Sequence, residues 1–516
     1  MQRASSRRKI KFSPILRVGL AALAFGVLAA GCTLFNSAPR APVGVRIECA
    51  TAAVVGLRWS AADASKSARY EILRNGASIG KTADLSFDDA SVAASQSYSY
   101  VVIGFDVHGN RAASAPVDVN TPLESGRAEA PYCASSLIRS MTWDWAGGYR
   151  AAEGSDLWPV TWGQDGNVYA FFGDGGGFGG DDHRGRTSFG IAMLTGAPPL
   201  NAAAEINLYG GYLPRYPSRL SGKARALIAV GSNFYAIAGL YRSSDAKSSG
   251  PQPISGSPEH VEIVYSQHDA HSWHDSGWTF CSSDTGAAFA GDGTFCPSGF
   301  INFGAGNAGA RDRYVYLMGS SPASDRAAGM EASARTYLAR VARTRILQRG
   351  AYRYFAGLDP GLKPVWSADP ARMQPIFTDR SAQRPGCGGQ CSMSSNLEEA
   401  VYDAPLQRFI GVAQGNFLAQ TSFYESVNPW GPWATISYHN IDAADGSGGW
   451  GNLGSAAGES LGVHPVNAWT SADGRTLWMV YSSDGRAGPD ALFPPPGTKL
   501  DAFHLLRVDL DVAQVR

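Results

Sequence analysis

From residue 42 onward the chain is dominated by short runs of alternating apolar and polar residues, punctuated by turn signals. Val54-Val55-Gly56-Leu57-Arg58-Trp59 and Tyr70-Glu71-Ile72-Leu73-Arg74 follow period two, which puts one side of each run in a core and predicts half-buried strands. Asn75-Gly76 then stands at a hairpin position, where the backbone needs positive φ. Phe87-Asp88-Asp89 and Tyr98 to Ile103 read as further strands, with Gly109-Asn110 as the next turn. Short strands at this regular spacing predict a two-sheet sandwich over residues 42–122.

After a linker at 123–133 the pattern changes from isolated strands to repeated strand–turn–strand units. Val160–Trp162 and Val168–Phe172 flank Asp165-Gly166, and Ala226–Val230 and Phe234–Leu240 flank Gly231-Ser232. Tyr314–Met318 with Thr336–Val341, Glu399–Tyr402 with Arg408–Ala413, and Ala468–Ser471 with Leu477–Tyr481 complete five groups, about 50 to 90 residues apart. Repeated meanders of this kind predict propeller blades. The expected fold class is therefore all-β, an N-terminal sandwich followed by a five-bladed β-propeller over 134–516, with six blades as the nearest alternative. Helical periodicity is visible only at 331–349, where Ala, Leu, Val and Ile recur among arginines.

The first 31 residues read as a targeting segment. Arg3, Arg7, Arg8, Lys9 and Lys11 precede an uncharged apolar run, Val18 to Ala30, too short to span a bilayer. The run ends in Leu-Ala-Ala-Gly-Cys and resembles a bacterial lipoprotein signal, which implies that Cys32 is lipidated, residues 32–41 form a tether, and the chain is held on the cell envelope. Thr33 rather than Asp after the cysteine favours the outer membrane.

Composition agrees with export. Charged residues are only 17%, Lys+Arg and Asp+Glu balance at 44 each, and 61 glycines exceed the average share. A neutral chain lacks the basic excess that phosphate neutralisation needs, so nucleic acid is not an expected partner. Six cysteines besides Cys32 permit three disulfides in an oxidising compartment. Proximity favours Cys281–Cys296 and Cys387–Cys391, which leaves Cys49–Cys133 to tie sandwich to propeller. No metal site is expected: the His268, His271, His274 spacing is not that of a helical zinc site, and the region reads as a loop.

The richest chemistry lies in residues 155–186. Asp156 and Asp174 stand at similar distances either side of the Asp165-Gly166 turn, so a hairpin would bring them to one end of the ladder. A carboxyl pair can cleave a glycosidic bond, one member protonating the leaving oxygen and the other acting as base or nucleophile. Trp158, Trp162, Phe172 and Phe178 offer faces on which a sugar could stack, and the glycines of 175–180 would let backbone approach a ligand. The same acidic and glycine residues also suit ordinary turns. Arg311 and Asp312 stand at the start of an expected strand, as Asp156 does, and are candidate ligand-binding residues, with Asn302, Asn307 and His464 as weaker ones.

Three further resemblances sharpen these expectations. Trp59, the strand YEILRNG, Tyr98 as a tyrosine corner and DVHGNRAASAP resemble a fibronectin type III domain, which implies a spacer or binding module. DLWPVTWGQDGNVYAFFGDGGGFGG, FINFGAGNAGARDRYVYL, YLARVARTRILQRGAYRYFAGLD and NPWGPW resemble the family catalogued as domain of unknown function 4185, over essentially all of 134–512. That family is a five-bladed propeller with some endo-D-arabinanases, glycoside hydrolase family 183, and the resemblance implies Asp156 and Asp174 as the carboxylate pair. SQHDAHSW (266–273) is similar to the Asp-box turn of sialidase-like propellers, with His268 and Ala270 at its Asp and Gly positions.

The expected protein is a monomeric, surface-anchored glycoside hydrolase that acts on a polysaccharide without a cofactor, the presence of structural calcium being left open. The alternative is a non-catalytic glycan-binding or adhesive envelope lipoprotein.

Overall fold

Chain reversals fall where glycine stands beside Asn, Asp or Ser. In the computed structural model Gly76, Gly166, Gly231 and Gly474 have φ of 81°, 89°, 61° and 72°, the left-handed region that glycine enters without penalty. The structure describes residues 40–61, 67–106, 108–123, 130–144, 147–201, 204–241, 259–268, 270–283, 294–321, 335–359, 361–379, 396–414, 421–438, 460–483 and 501–514. The targeting segment, Cys32, Cys387 and Cys391 lie outside them.

Residues 43–120 form two sheets. One contains Val43–Ala50, Val55–Ser60 and Ser86–Asp89; the other contains Ala77–Thr82, Ser67–Arg74, Ser97–Asp106, Arg111–Ala113 and Val117–Asn120. The alternation works as expected: Val55, Leu57, Trp59, Tyr70, Ile72, Tyr100 and Val102 share one buried cluster. Tyr98 accepts a hydrogen bond at its hydroxyl from Ala93 N (2.9 Å), which fastens the chain before its strand.

The remaining strands make five antiparallel sheets, taking the parallel contact between Cys296–Asn302 and Leu397–Asp403 as the division between the third and fourth. Sheet 1 holds Val160–Trp162, Val168–Phe172, Gly190–Leu194 and Glu205–Tyr209. Sheet 2 holds Gly222–Val230, Asn233–Leu240, Glu259–Ser266 and His274–Ser283. Sheet 3 begins with Cys296–Asn302, Tyr314–Ser320 and Arg335–Ala342, and sheet 4 with Leu397–Asp403 and Arg408–Gln414. Sheet 5 joins Ser460–Pro465, Thr476–Ser483 and Phe503–Val512 to Tyr149–Ala151 and Ile138–Trp143, which come from the other end of the chain.

The first strands of successive sheets touch in order from sheet 1 to sheet 5. Apolar clusters fill each gap: Phe171 and Leu227 between sheets 1 and 2, Ile228 and Phe300 between 2 and 3, Ile301 and Phe409 between 3 and 4. Val412 and Val463 pack between sheets 4 and 5, and Phe172 and Phe503 between 5 and 1, so the series closes on itself. Sheets sandwiched on both faces bury nearly every side chain, and Val168–Phe172 is buried throughout.

Disulfides Cys49–Cys133 and Cys281–Cys296 are both present. The first ties the sandwich to the segment entering sheet 5, where Cys133 O accepts from Thr435 N (2.8 Å). Two local expectations need correction. Residues 335–342 are a strand rather than part of a helix, because Tyr337, Leu338, Ala339 and Val341 are all buried between neighbouring sheets. Ala468–Ser471 is not a strand: Ser460–Pro465 pairs with Thr476–Ser483, and Asn467–Trp469 is a single 3-10 turn between them.

Candidate active site

Asp156 and Asp174 meet because the first hairpin of sheet 1 continues past its regular strands. Asp156 N donates to Gly173 O (2.9 Å) and Gly173 N to Asp156 O (3.1 Å), one extra rung that sets Asp174 beside Asp156. The chain there is contorted: Leu157, Trp158 and Asp174 have φ of 80°, 57° and 56°. Non-glycine residues in this region cost free energy and persist only when their surroundings hold them.

Lys223, on the first strand of sheet 2, supplies the common partner. Its Nζ lies 3.4 Å from Asp156 Oδ2 and hydrogen-bonds Asp174 Oδ2. Arg186 approaches Asp174 Oδ1 at 3.9 Å. Asp156 is buried, and its Oδ1 has no hydrogen-bond partner. Burial pushes its carboxyl above the ordinary carboxylate range; Lys223 opposes this and Asp174 adds to it. Burial pulls Lys223 down, but Asp156 and then Asp174 outweigh it, holding the ammonium up at about 12.

A second titratable group lies on sheets 4 and 5. Burial raises Glu398 to about 7, partly offset by His464 and Arg225. His464 Nδ1 is 3.0 Å from Glu399 Oε1, and its Nε2 is 3.1 Å from the carbonyl oxygen of Leu157, next to Asp156. Spacing singled out His464 only weakly and missed Lys223, Arg225, Glu398 and Glu399. Their strands lie far apart in sequence, and the one local signal is charge inside otherwise apolar strands, as in GKARALIAV.

Several expected ligand contacts belong to the core instead. Trp158 is fully buried, its ring 5.5 Å from those of Phe172 and Phe178 and 5.1 Å from that of Phe503. Phe178 is buried in the same cluster, so neither ring has a face free for a sugar. Trp162 is half-buried on its strand. The Gly-rich loop packs against its own chain: a Cβ on Gly175 would sit 2.3 Å from Gly154 O, and one on Gly176 2.1 Å from Arg184 O. Asn207 holds the loop by accepting from Phe178 N (2.9 Å) and donating to Phe178 O (2.9 Å).

Arg311 and Asp312 lie at the other end of the sheets. They follow the first strand of sheet 3, in a loop whose Gly306 O accepts from Gly231 N of the sheet 2 turn (2.8 Å). Arg311 stacks on Tyr402 of sheet 4 (4.5 Å) and so braces sheets 3 and 4, while Asp312 Oδ2 accepts from the Tyr316 hydroxyl of its own sheet (2.6 Å). Asn302 and Asn307 are buried, the latter accepting from Phe303 N (3.0 Å). The turn carrying His268 and Ala270, with φ of 72° and 55°, is fastened by Trp273 Nε1 donating to Ala270 O (2.9 Å). Among the described residues no group of three or more His, Cys, Asp or Glu side chains is arranged to hold a metal ion.

No family model matches the chain. Curated proteins similar to part of it are an alpha-amylase of Niallia circulans, 39% identical over 89 residues (17% of this chain, 7% of that protein), and exoglucanase B of Cellulomonas fimi, 30% identical over 129 residues (24% and 12%). The chain thus spans about a tenth of these relatives' length. Similar solved structures include Zg3597, a family 117 glycoside hydrolase of Zobellia galactanivorans, with TM-score 0.34 and 9% identity over 74% of this chain and 93% of that one. Another is a GH43_1 enzyme from Xanthomonas citri, with TM-score 0.35 and 11% identity over 72% and 94%.

Proposed function

We propose that the chain is a glycoside hydrolase acting on an extracellular polysaccharide, with the five sheets as blades of a β-propeller and the sandwich as a fibronectin type III module. The lipoprotein-like leader would anchor it to the cell envelope through Cys32, and D-arabinan is the substrate suggested by the quoted motifs. The observation that carries the reading is the carboxyl pair on one ammonium, Asp156 and Asp174 on Lys223, where Leu157, Trp158 and Asp174 are held in left-handed backbone conformations. Asp156, the more deeply buried member, holds the proton and serves as general acid. Asp174, more exposed and flanked by Lys223 and Arg186, serves as the carboxylate. Both reach the same nitrogen, so their nearest oxygens are at most about 6 Å apart, short of the spacing of inverting enzymes, which favours a retaining reaction with the second carboxylate as the nucleophile.

The test is to incubate the protein with a panel of polysaccharides, follow new reducing ends, and read the anomer of the first product by NMR. Cleavage with retention, abolished in Asp156→Asn and in Asp174→Asn, supports the assignment; cleavage that survives in both removes these residues from the chemistry. A second reading has its own support, since Lys223 partners both carboxylates as a structural ion pair would. Under it the protein binds a glycan and never cuts it, and the same panel then gives binding with no new ends.

A further inference from the structure

The peptide after Asp156 is held from across the ring closure by a residue with two hydrogen-bond acceptors and no donor facing it. His464 Nδ1 meets Glu399 Oε1 at 3.0 Å, and Nε2 meets Leu157 O at 3.1 Å. A carbonyl oxygen can only accept, and an ionised carboxylate can only accept. A neutral imidazole has a single N–H and can satisfy one of the two, whereas an imidazolium satisfies both. His464 and Glu399 are both buried, so water does not make up the difference.

We propose that His464 stands as an imidazolium paired with Glu399 and is the positioning residue that clamps the strained Asp156–Trp158 segment, an inference that rests on Asp156 being the acid. A charged ring donates to both of its acceptors at once, and a second carboxyl, Glu398, flanks the same site. The groups facing the ring are Glu399 and Glu398 from sheet 4 and the Leu157 carbonyl from the approach to sheet 1; Arg225 from sheet 2 acts on Glu398. Burial opposes the charge, but Glu399, Glu398 and the Leu157 carbonyl together raise the ring above its ordinary value.

Gly462 is a separate sign that the contact is built in. With φ of 65°, it sits where a Cβ would come within 2.4 Å of Leu157 O and 2.5 Å of His464 Nε2. The clamped segment needs holding, because Leu157 and Trp158 are both left-handed and neither is glycine. Asp156 is tied by its rung to Gly173 and by Lys223, whereas Trp158 has local hydrogen bonds, from its N to Asp156 O (3.2 Å) and from its Nε1 to Ser155 O (3.1 Å). The His464 contact ties the Leu157 backbone, at the middle of the segment, to sheet 5. Because the ring is raised in the folded chain, the clamp is complete below the ordinary histidine range, near pH 6.5, and is lost as pH rises through the higher folded value.

The test uses the full chain with ¹⁵N-labelled histidine, the His464 signals being assigned by their absence in His464→Gln. Two protonated ring nitrogens at neutral pH support the proposal; one unprotonated nitrogen overturns it. Glu399→Gln offers an amide donor to Nδ1, so His464 should become neutral there at the same pH, and an unchanged imidazolium would remove Glu399 from the pair. On whichever polysaccharide the screen finds to be cut, His464→Gln should lower kcat roughly tenfold to a hundredfold with KM little changed. Unaltered kcat would show that the clamp does not position the acid. If the screen finds no cleavage, the hydrolase reading fails, while the ring signals still decide the protonation state and the pairing.

Discussion

Lys223→Met removes the cation between the two carboxyls and isolates what it does to Asp156. At 3.4 Å, with an effective dielectric of about 20, the attraction between ammonium and carboxylate is about 5 kcal/mol. Both side chains are mostly buried, so bulk water screens little of it: Lys223 is 19% exposed and Asp156 10%. Arg186 remains beside Asp174 and favours the charged form of Asp156 less than Lys223 does, and Asp156 Oδ1 already lacks a hydrogen bond. The charged form of Asp156 therefore loses its main support, while the burial and the Asp174 repulsion that disfavour it remain. If water entering the space returned two thirds of the lost energy, the proton affinity of Asp156 would still rise more than tenfold. Titration of carboxyl-labelled aspartate by ¹³C NMR, with Asp156→Asn to assign the signal, should show the midpoint of Asp156 moved upward in Lys223→Met. An unmoved or lowered midpoint would refute the electrostatic account of the pair. In the hydrolysis assay the same variant should retain activity to higher pH on the limb set by the acid, because the protonated form would persist further.

Three other outcomes follow from the packing and the cross-links. Trp158→Ala should destabilise the chain by about 3 to 5 kcal/mol in chemical denaturation, since it empties a buried cluster with Phe172, Phe178 and Phe503; a cost near zero would restore Trp158 as an exposed platform. Cys49→Ser with Cys133→Ser opens a cross-link spanning 84 residues, worth at most about 4.5 kcal/mol on the chain-entropy model, and should lower the denaturation midpoint. Asp88, whose Oδ2 accepts from Cys133 N (3.2 Å), is pushed up to about 6 from 3.8 mainly by burial. Its contribution to stability is therefore present below about 3.8 and lost as pH rises through about 6. Asp88→Asn keeps an acceptor for Cys133 N, so the variant should melt higher than the parent near neutral pH and equally near pH 4; a difference that does not depend on pH would contradict the burial effect.

Turn chemistry and strand alternation were legible where their causes are local. Asn75-Gly76, Asp165-Gly166 and Gly231-Ser232 turn where they should, because positive φ is a property of the residues themselves. The sandwich strands alternate because each sheet there buries one face. In the inner strands of the five sheets, such as Val168–Phe172 and Cys296–Asn302, both faces are buried, and alternation no longer distinguishes core from surface. That is why Trp158 and Phe178 looked like sugar platforms. Helical spacing at 331–349 misled for a related reason: Arg340 interrupts an apolar strand, yet its guanidinium is only half-exposed, lying 4.0 Å from both the Tyr314 and Trp366 rings. Likewise the partner of Thr476–Ser483 is Ser460–Pro465, while buried Trp469 lies in the turn between them and gave it the look of a strand.

The candidate site was half legible, and ring closure accounts for the division. Asp156 and Asp174 lie on one hairpin, so counting from a single turn brings them together. Lys223, Glu399 and His464 come from sheets 2, 4 and 5, and no local pattern relates them. They converge because five sheets packed in series return the last to the first, through the packing of Phe172 against Phe503. Closure also places a constraint on the chemistry. Asp156 receives its cation from the sheet after it and its backbone clamp from the sheet before it. A change that loosens the packing between sheets 5 and 1 should therefore disturb Asp156 more than Asp174, although neither residue belongs to the apolar cluster that fills that junction.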